Sequence, residues 1–273
     1  MAPGAGLTVL MGEHRYRRIM ANDPATHGSL HPVAARGFAA SPQRYESGRP
    51  GYPADAVSWM CERLGIQEGA VVVDVAAGTG KLTRLLAAGG ARIIAVEPVA
   101  EMAALLQFLT PGVELVSATA EALPFAAGSV DAITAGQAFH WFDADRAWAE
   151  FHRVLRPGGG VGLVWNVRDR SVAWIDQVWT IMDEVERKAP WCNHDHPALV
   201  AGAGFAPLEK TTFWHGVTVT HREMLDRIVS VSHVAVLPEK ERTVLLARVA
   251  AALPNAEMLV ARYRVDAYVT HKL

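Results

Sequence analysis

Val71-Val72-Val73-Asp74-Val75-Ala76-Ala77-Gly78-Thr79-Gly80-Lys81 is the stretch on which the fold turns. The run Ala70–Val75 is apolar at all but one position, which marks a strand buried on both faces of a parallel sheet. Its last residues carry a carboxylate, Asp74, into a short turn holding Gly78 and Gly80. A helix then follows over Lys81–Ala88, stopped by Gly89-Gly90. Glycine at such a turn lets backbone approach a ligand closely, and the free N–H groups of the helix start can receive a carboxylate or phosphate.

Downstream, Arg92–Val96 reads as a second strand that ends at Glu97, 23 residues after Asp74. An acid at that edge can accept hydrogen bonds from both hydroxyls of a ribose, so strand, loop and acid together predict a nucleoside-containing cofactor. The alternation continues with a helix over Glu101–Leu109, strands over Val113–Ser117 and Val130–Ala135, and an amphipathic helix from Asp143 to Leu155. Ala144, Ala147, Trp148, Phe151 and Leu155 line one side of that helix, with Asp143 as its N-cap. Arg156-Pro157-Gly158-Gly159 breaks the helix and leads into a fifth strand, Val161–Trp165. Strands alternating with helices in this way predict βαβ units and a Rossmann-like, doubly wound α/β sheet.

After Trp165 the pattern changes. Helices are expected over Ser171–Lys188, from the capping box Thr220-His221-Arg222-Glu223, and over Pro238–Ala252, with strands over Leu208–Val219 and Met258–Val269. We read one domain over 31–273, with an N-terminal lid segment over 31–60 and C-terminal strands and a substrate cap over 166–273. A flexible extension over 1–30 precedes it, and Met11 and Met20 leave the true start open.

The chain has 273 residues, 51% of them hydrophobic and 20% charged, with a formal net charge of −2. There is no basic run of the kind a nucleic-acid binder shows, so a small-molecule substrate is expected rather than a polynucleotide. No apolar run is long enough for a membrane span, and MAPGAGLTVLMG lacks the basic start of a secretory signal. Two cysteines, Cys61 and Cys192, make no disulfide framework; a cytoplasmic protein is expected, with a homodimer as one option.

The residues Asp74 to Gly80 resemble the first motif of the class I S-adenosylmethionine-dependent methyltransferases, acidic-x-Gly-x-Gly-x-Gly. Ala76 stands where the first glycine would be, a change that should forbid a strongly left-handed backbone there. Ala120-Glu121-Ala122-Leu123-Pro124-Phe125, Asp131–Ala138 and Arg153–Gly159 are similar to the family's later motifs. Ala138-Phe139-His140-Trp141-Phe142-Asp143 looks like a type 11 subgroup related to the cantharidin and trans-aconitate methyltransferases, as do Tyr45-x-x-x-Arg49-Pro50-x-Tyr52-Pro53 and Ser230-Val231-Ser232-His233. The match spans roughly residues 33 to 268.

The resemblance implies a seven-stranded sheet, mostly parallel with an antiparallel last strand, plus helical cap elements. It implies S-adenosyl-L-methionine as cofactor. Asp74, Ala76, Gly78 and Gly80 would border its methionine part, Glu97 would hold the ribose, and Thr119, Ala120 and Glu121 would lie near the adenine. Gln137 joins this set at the end of the fourth strand. Tyr45 and Arg49 would close over the cofactor, Arg49 as a partner for its carboxylate.

His140 and Trp141 stand at the carboxyl edge where open α/β sheets bind ligands and are the candidate catalytic residues. His140 is the candidate base for a hydroxyl acceptor, whereas a carboxylate acceptor needs none. Blander readings stay open: Asp74 as a structural carboxylate, Tyr45 and Arg49 as surface groups, Trp141 as core. Asn193-His194-Asp195-His196 reads as a polar loop, since alternate residues of an extended chain point to opposite sides and no metal is expected. Two other functions remain. An NAD(P)-dependent oxidoreductase would want a third glycine where Thr83 stands, and a non-catalytic protein could bind the cofactor alone.

Overall fold

The computed structural model describes residues 42–186 and 201–273. The expected N-terminal extension, Cys192 and the polar loop at Asn193–His196 lie outside the described residues.

β1 (Val71–Val75) shows why the sheet forms. All five residues are buried, and the pleat sends them to opposite sides. Val71, Val73 and Val75 join the cluster built on α5 (Ala144–Val154), with Trp148 and Phe151. Val72 faces the other way, into a cluster with Met60 and Leu64 of α2 (Ala54–Leu64) and Leu86 of α3 (Lys81–Ala87). Asp74 shares the side of Val72 and so points toward α3, which prepares its role below.

Around β1 the sheet runs β3-β2-β1-β4-β5-β7-β6. β2 (Arg92–Val96), β3 (Glu114–Val116), β4 (Val130–Gly136) and β5 (Leu155–Arg168) are parallel to β1. β7 (Leu259–His271) is antiparallel to β5, and β6 (Glu209–Val219) pairs antiparallel with β7. The strand order reverses between β1 and β4, and ligands of open α/β sheets bind outside the carboxyl ends at such a switch. The helix α4 (Ala100–Leu109) follows β2 beside that edge.

The fifth strand is longer than the expected Val161–Trp165. Leu155 already pairs with Val130, and an irregularity in register absorbs the Pro157-Gly158 turn before regular pairing begins at Gly160. At its far end Val167 and Arg168 pair with β7, a partner no local pattern reveals. Two N-terminal helices were not anticipated. α2 buries Ala56, Val57, Met60 and Leu64, a helical spacing that was present in the sequence. α1 (Pro42–Gly48) has seven residues, too few to show a period.

The C-terminal half builds its own core. α6 (Ala173–Glu186), α7 (His221–Val229) and α9 (Glu239–Ala252) pack Val178, Met182, Ile228 and Val249 against the start of β7, with Leu259 and Tyr263. The short α8 (Ser232–Ala235) links α7 to α9. α7 starts at the anticipated capping box, with the Thr220 hydroxyl accepting from Glu223 N–H and the Glu223 carboxylate accepting from Thr220 N–H. α1 lies mainly against α7, so the N-terminal segment rests on the cap as well as on the sheet edge.

Candidate functional site

A cleft holding about 710 Å³ of space, part of it open to solvent, lies at the carboxyl ends of β1, β2 and β4. The turn after β1 contributes Ala76 and Gly78 to its wall, the end of β2 contributes Glu97, and the stretch after β3 contributes Thr119, Ala120 and Glu121. Gln137 and Trp141 come from the end of β4 and the turn beyond it, and Tyr45 comes from α1.

Asp74 stands behind this wall rather than in it. It is 1% exposed. Thr83 Oγ1 donates to its Oδ2 at 2.6 Å and Thr134 Oγ1 to its Oδ1 at 2.8 Å. Burial raises its pKa to about 6, against the lowering effect of the Thr83 and Thr134 hydrogen bonds. The carboxylate therefore ties β1 to α3 and β4 and holds the loop from beneath. Thr83, conspicuous in sequence only as a missing glycine, is half of that tie. Gly80 is likewise turned away from the cleft. A β-carbon there would stand 3.0 Å from Leu106 Cγ, so this glycine lets α3 begin against α4.

Ala76 corrects an expectation. Its methyl was to exclude a left-handed backbone, yet its φ is +53°. A non-glycine residue there costs about 1–2 kcal/mol, which the surrounding turn sustains through Ala77 N–H to the Val96 carbonyl at 3.1 Å. Gln137, at the end of β4, is the other such residue among those described, with φ +58°. Its side chain donates to the Asn166 carbonyl at 3.1 Å. The two neighbouring strands thus turn sharply at the cleft edge, where strained backbone characteristically gathers.

Glu97 is 5% exposed. Its Oε2 accepts from Gly78 N–H at 2.7 Å and its Oε1 from Val99 N–H at 2.9 Å. Burial lifts its pKa to about 7 despite those two bonds, with the nearby Asp74 charge adding to the rise. A carboxylate has about four acceptor positions, so two remain for a ligand. Close by, Thr119 Oγ1 is buried with no hydrogen-bond partner. Glu121 accepts from Asp143 N–H at 3.0 Å, at the start of α5.

On the open side, the Arg49 guanidinium lies 5.5 Å from the Tyr45 ring centre and donates from Nη2 to the Ser230 carbonyl at 3.3 Å. Its Nε is buried without a partner. Arg49 is not among the residues of the cleft wall, and neither is His140, whose side chain is exposed. Of the pair, Trp141 alone reaches the wall.

A family model described as a methyltransferase domain matches residues 73–162. A methyltransferase-like protein of Schizosaccharomyces pombe is 36% identical over 200 residues, spanning 72% of this chain and 78% of that one. The chain belongs to the methyltransferase family. An uncharacterised methyltransferase of Mycobacterium tuberculosis is 41% identical over 145 residues, which cover 53% of this chain and 58% of its own. Among solved structures, a protein of Anaeromyxobacter dehalogenans proposed to be a type II methyltransferase shares the fold with a TM-score of 0.54 at 24% identity, over 82% of this chain and 96% of that one. This is an S-adenosylmethionine-dependent methyltransferase, which decides against the dinucleotide oxidoreductase.

The methyltransferase's own residues fit that cofactor. Glu97 keeps acceptor capacity for a diol, and the orphan Thr119 hydroxyl in the same wall awaits a polar partner. Sequence reasoning passed over three contributors. Met102 of α4 and Phe142 supply apolar wall. Tyr52 packs on Gly136, where a β-carbon would stand 2.9 Å from its ring carbon Cζ. Met102 stands outside every quoted motif, and Phe142 stood in the quoted Ala138–Asp143 segment with nothing local to say that its ring faces the cleft. Tyr52 stood in the quoted N-terminal motif, but only the fold shows it under the end of β4.

Proposed function

We propose that this methyltransferase moves a methyl group onto an oxygen of a small-molecule acceptor, and that the acceptor oxygen is a carboxylate. The supporting observation is the placement of His140: this histidine, the candidate base for a hydroxyl acceptor, is exposed and outside the cleft wall. Burial also raises the Tyr45 and Tyr52 hydroxyls, so neither is a phenolate near neutral pH. A carboxylate is already ionised at pH 7 and needs no base.

The cofactor supplies an activated methyl on a positively charged sulfur. The chain's part is then alignment and exclusion of water, and alignment alone can supply an effective concentration of about 10⁵ M or more. In this reading Glu97 receives the ribose hydroxyls, Thr119, Ala120 and Glu121 border the adenine, and Ala76 and Gly78 border the methionine part. Tyr45 covers the cleft, Arg49 meets the cofactor carboxylate through its unpartnered Nε, Gln137 stiffens the wall between them, and Trp141 bounds the acceptor side. The resemblance of Ala138–Asp143 and Tyr45–Pro53 to the cantharidin and trans-aconitate enzymes agrees with a carboxylic acid. The absence of a basic run agrees with a small molecule.

The test is methyl transfer from radiolabelled cofactor to a panel of small carboxylic acids, phenols and amines. A methyl ester releases labelled methanol in mild base, whereas a methyl ether or methylamine does not. His140→Ala should lower kcat by less than about tenfold, short of the 10²–10⁴-fold that a general base contributes. Base-stable product, or a larger loss in that variant, overturns the carboxylate reading.

A further inference from the structure

α1 lies over the open side of the cleft, and it is held from two directions. Toward the cap, Gly48 comes so close to α7 that a β-carbon would stand 2.9 Å from Arg227 Cα, and Arg49 reaches the Ser230 carbonyl. Toward the cofactor loop, the ion pairs of α1 among the described residues all run through Glu46. Its Oε1 receives Arg84 Nη2 at 2.6 Å and lies 3.4 Å from Lys81 Nζ. Its Oε2 accepts from the Thr79 hydroxyl. Arg84 Nη1 in turn donates to the Thr79 carbonyl at 2.8 Å.

Each of these partners belongs to the turn after β1 or to the first residues of α3, the same backbone that carries Gly78 into the cleft. The side chains are 24% exposed for Glu46, 18% for Lys81 and 31% for Arg84, so the cluster is drier than a surface pair yet still within reach of dissolved salt. Burial lowers the Lys81 pKa, while Glu46 opposes the effect. An acid is also favoured at the start of a helix. Glu46 precedes no motif residue by spacing and touches no part of the cleft wall. Its immediate neighbour Tyr45 does, and Tyr45 Cε1 lies 3.9 Å from where a Gly78 β-carbon would be.

We propose that Glu46 is a positioning residue for the cofactor: a charged latch that holds α1 on the loop after β1 and thereby keeps Tyr45 across the cleft. If Glu46 were only packing, an isosteric amide would serve equally well. If its carboxylate instead occupied ground that the ligand needs at the start of α3, removing the charge would tighten binding.

Calorimetric titration of the full chain with S-adenosylhomocysteine separates these cases. Glu46→Gln should raise Kd about tenfold, the ratio that corresponds to about 1.4 kcal/mol, and Glu46→Asp should stay within about threefold of the wild type because Arg84 is long enough to follow it. Arg84→Gln should also weaken binding, and Glu46→Gln/Arg84→Gln should be no weaker than Glu46→Gln alone, since both changes open one latch. Raising NaCl from about 50 to 500 mM should weaken the wild type and leave Glu46→Gln nearly unmoved.

Gly48→Ala lifts α1 from the cap side and should lose affinity with the salt response intact. If Glu46→Gln does not fold, Arg84→Gln and Gly48→Ala carry the same test. Unchanged or tighter binding in a folded Glu46→Gln, or equal salt responses in it and the wild type, overturns the latch. A wild type that does not bind S-adenosylhomocysteine would overturn the cofactor assignment instead, a different and recognisable result.

Discussion

Ala76 is held at φ +53° where the methyltransferase motif has glycine, so the methyl group carries a conformational cost with no compensating contact in the motif's logic. Ala76→Gly should relieve about 1–2 kcal/mol of backbone strain and lose up to about 1 kcal/mol to the greater freedom of the unfolded chain. The net is a gain of roughly 0.5–1 kcal/mol, read as a rise in Tm of about 2 °C in thermal unfolding.

Glu97 gives a second expectation. In the proposed reading ribose hydroxyls donate to the ionised carboxylate, and in the free protein burial holds that group at about 7. Binding below that pH must release the proton. The Kd for S-adenosylhomocysteine should fall about tenfold from pH 6 to pH 8, with Glu97→Gln weaker and flat over the range. The stability sign follows from the same group. A raised carboxyl pKa contributes stability that is present below the unfolded value of 4.5 and lost as pH rises through about 7. Denaturant titration of the ligand-free chain at pH 5 and 8 measures that loss as the difference between wild type and Glu97→Gln.

At the scale of elements, α7 supports the lid it touches. The helix begins at a reciprocal cap, Thr220 with Glu223, whose hydroxyl and carboxylate satisfy backbone donors that the first turn leaves open. Thr220→Ala should cost about 1 kcal/mol, and denaturant unfolding should report it as a lower midpoint with unchanged slope. That cap was legible in sequence because Ser/Thr and Glu three apart act within one turn. The ends of β5 were not. Its pairing with β7 joins residues about a hundred positions apart, as in Trp165 with Asp266, and nothing local marks where such a ladder stops. α1 escaped notice for the opposite reason: seven residues held by Glu46 and by Gly48 against Arg227 have no periodicity of their own.

At the scale of the molecule, the cleft lies between the switch point of the sheet and α1, and α1 in turn rests on α7. Because folded chain alone presents that cleft, S-adenosylhomocysteine at about 100 times Kd should stabilise the protein by about 2.7 kcal/mol. Thermal unfolding with increasing ligand checks this, and a Tm that ignores ligand would deny the coupling. Among the described residues no helix is long and apolar enough to cross a membrane.

What the sequence determined by itself was the strand, turn and acid that frame the cleft, and the sheet that carries them. Asp74, Gly78 and Glu97 are placed by a strand, a turn and a fixed count of residues, and short-range geometry survives whatever the rest of the chain does. Tertiary structure decided which of these groups is free to act. Asp74 is spent because Thr134, 60 residues away, comes beside it in the sheet. His140 and Trp141 are adjacent in sequence and their rings lie 5.0 Å apart, yet only the second is part of the cleft wall, the first being left on the exposed side of the turn after β4. Availability to a ligand depends on what else fills the space around a side chain, and that space is made by residues far away in the chain.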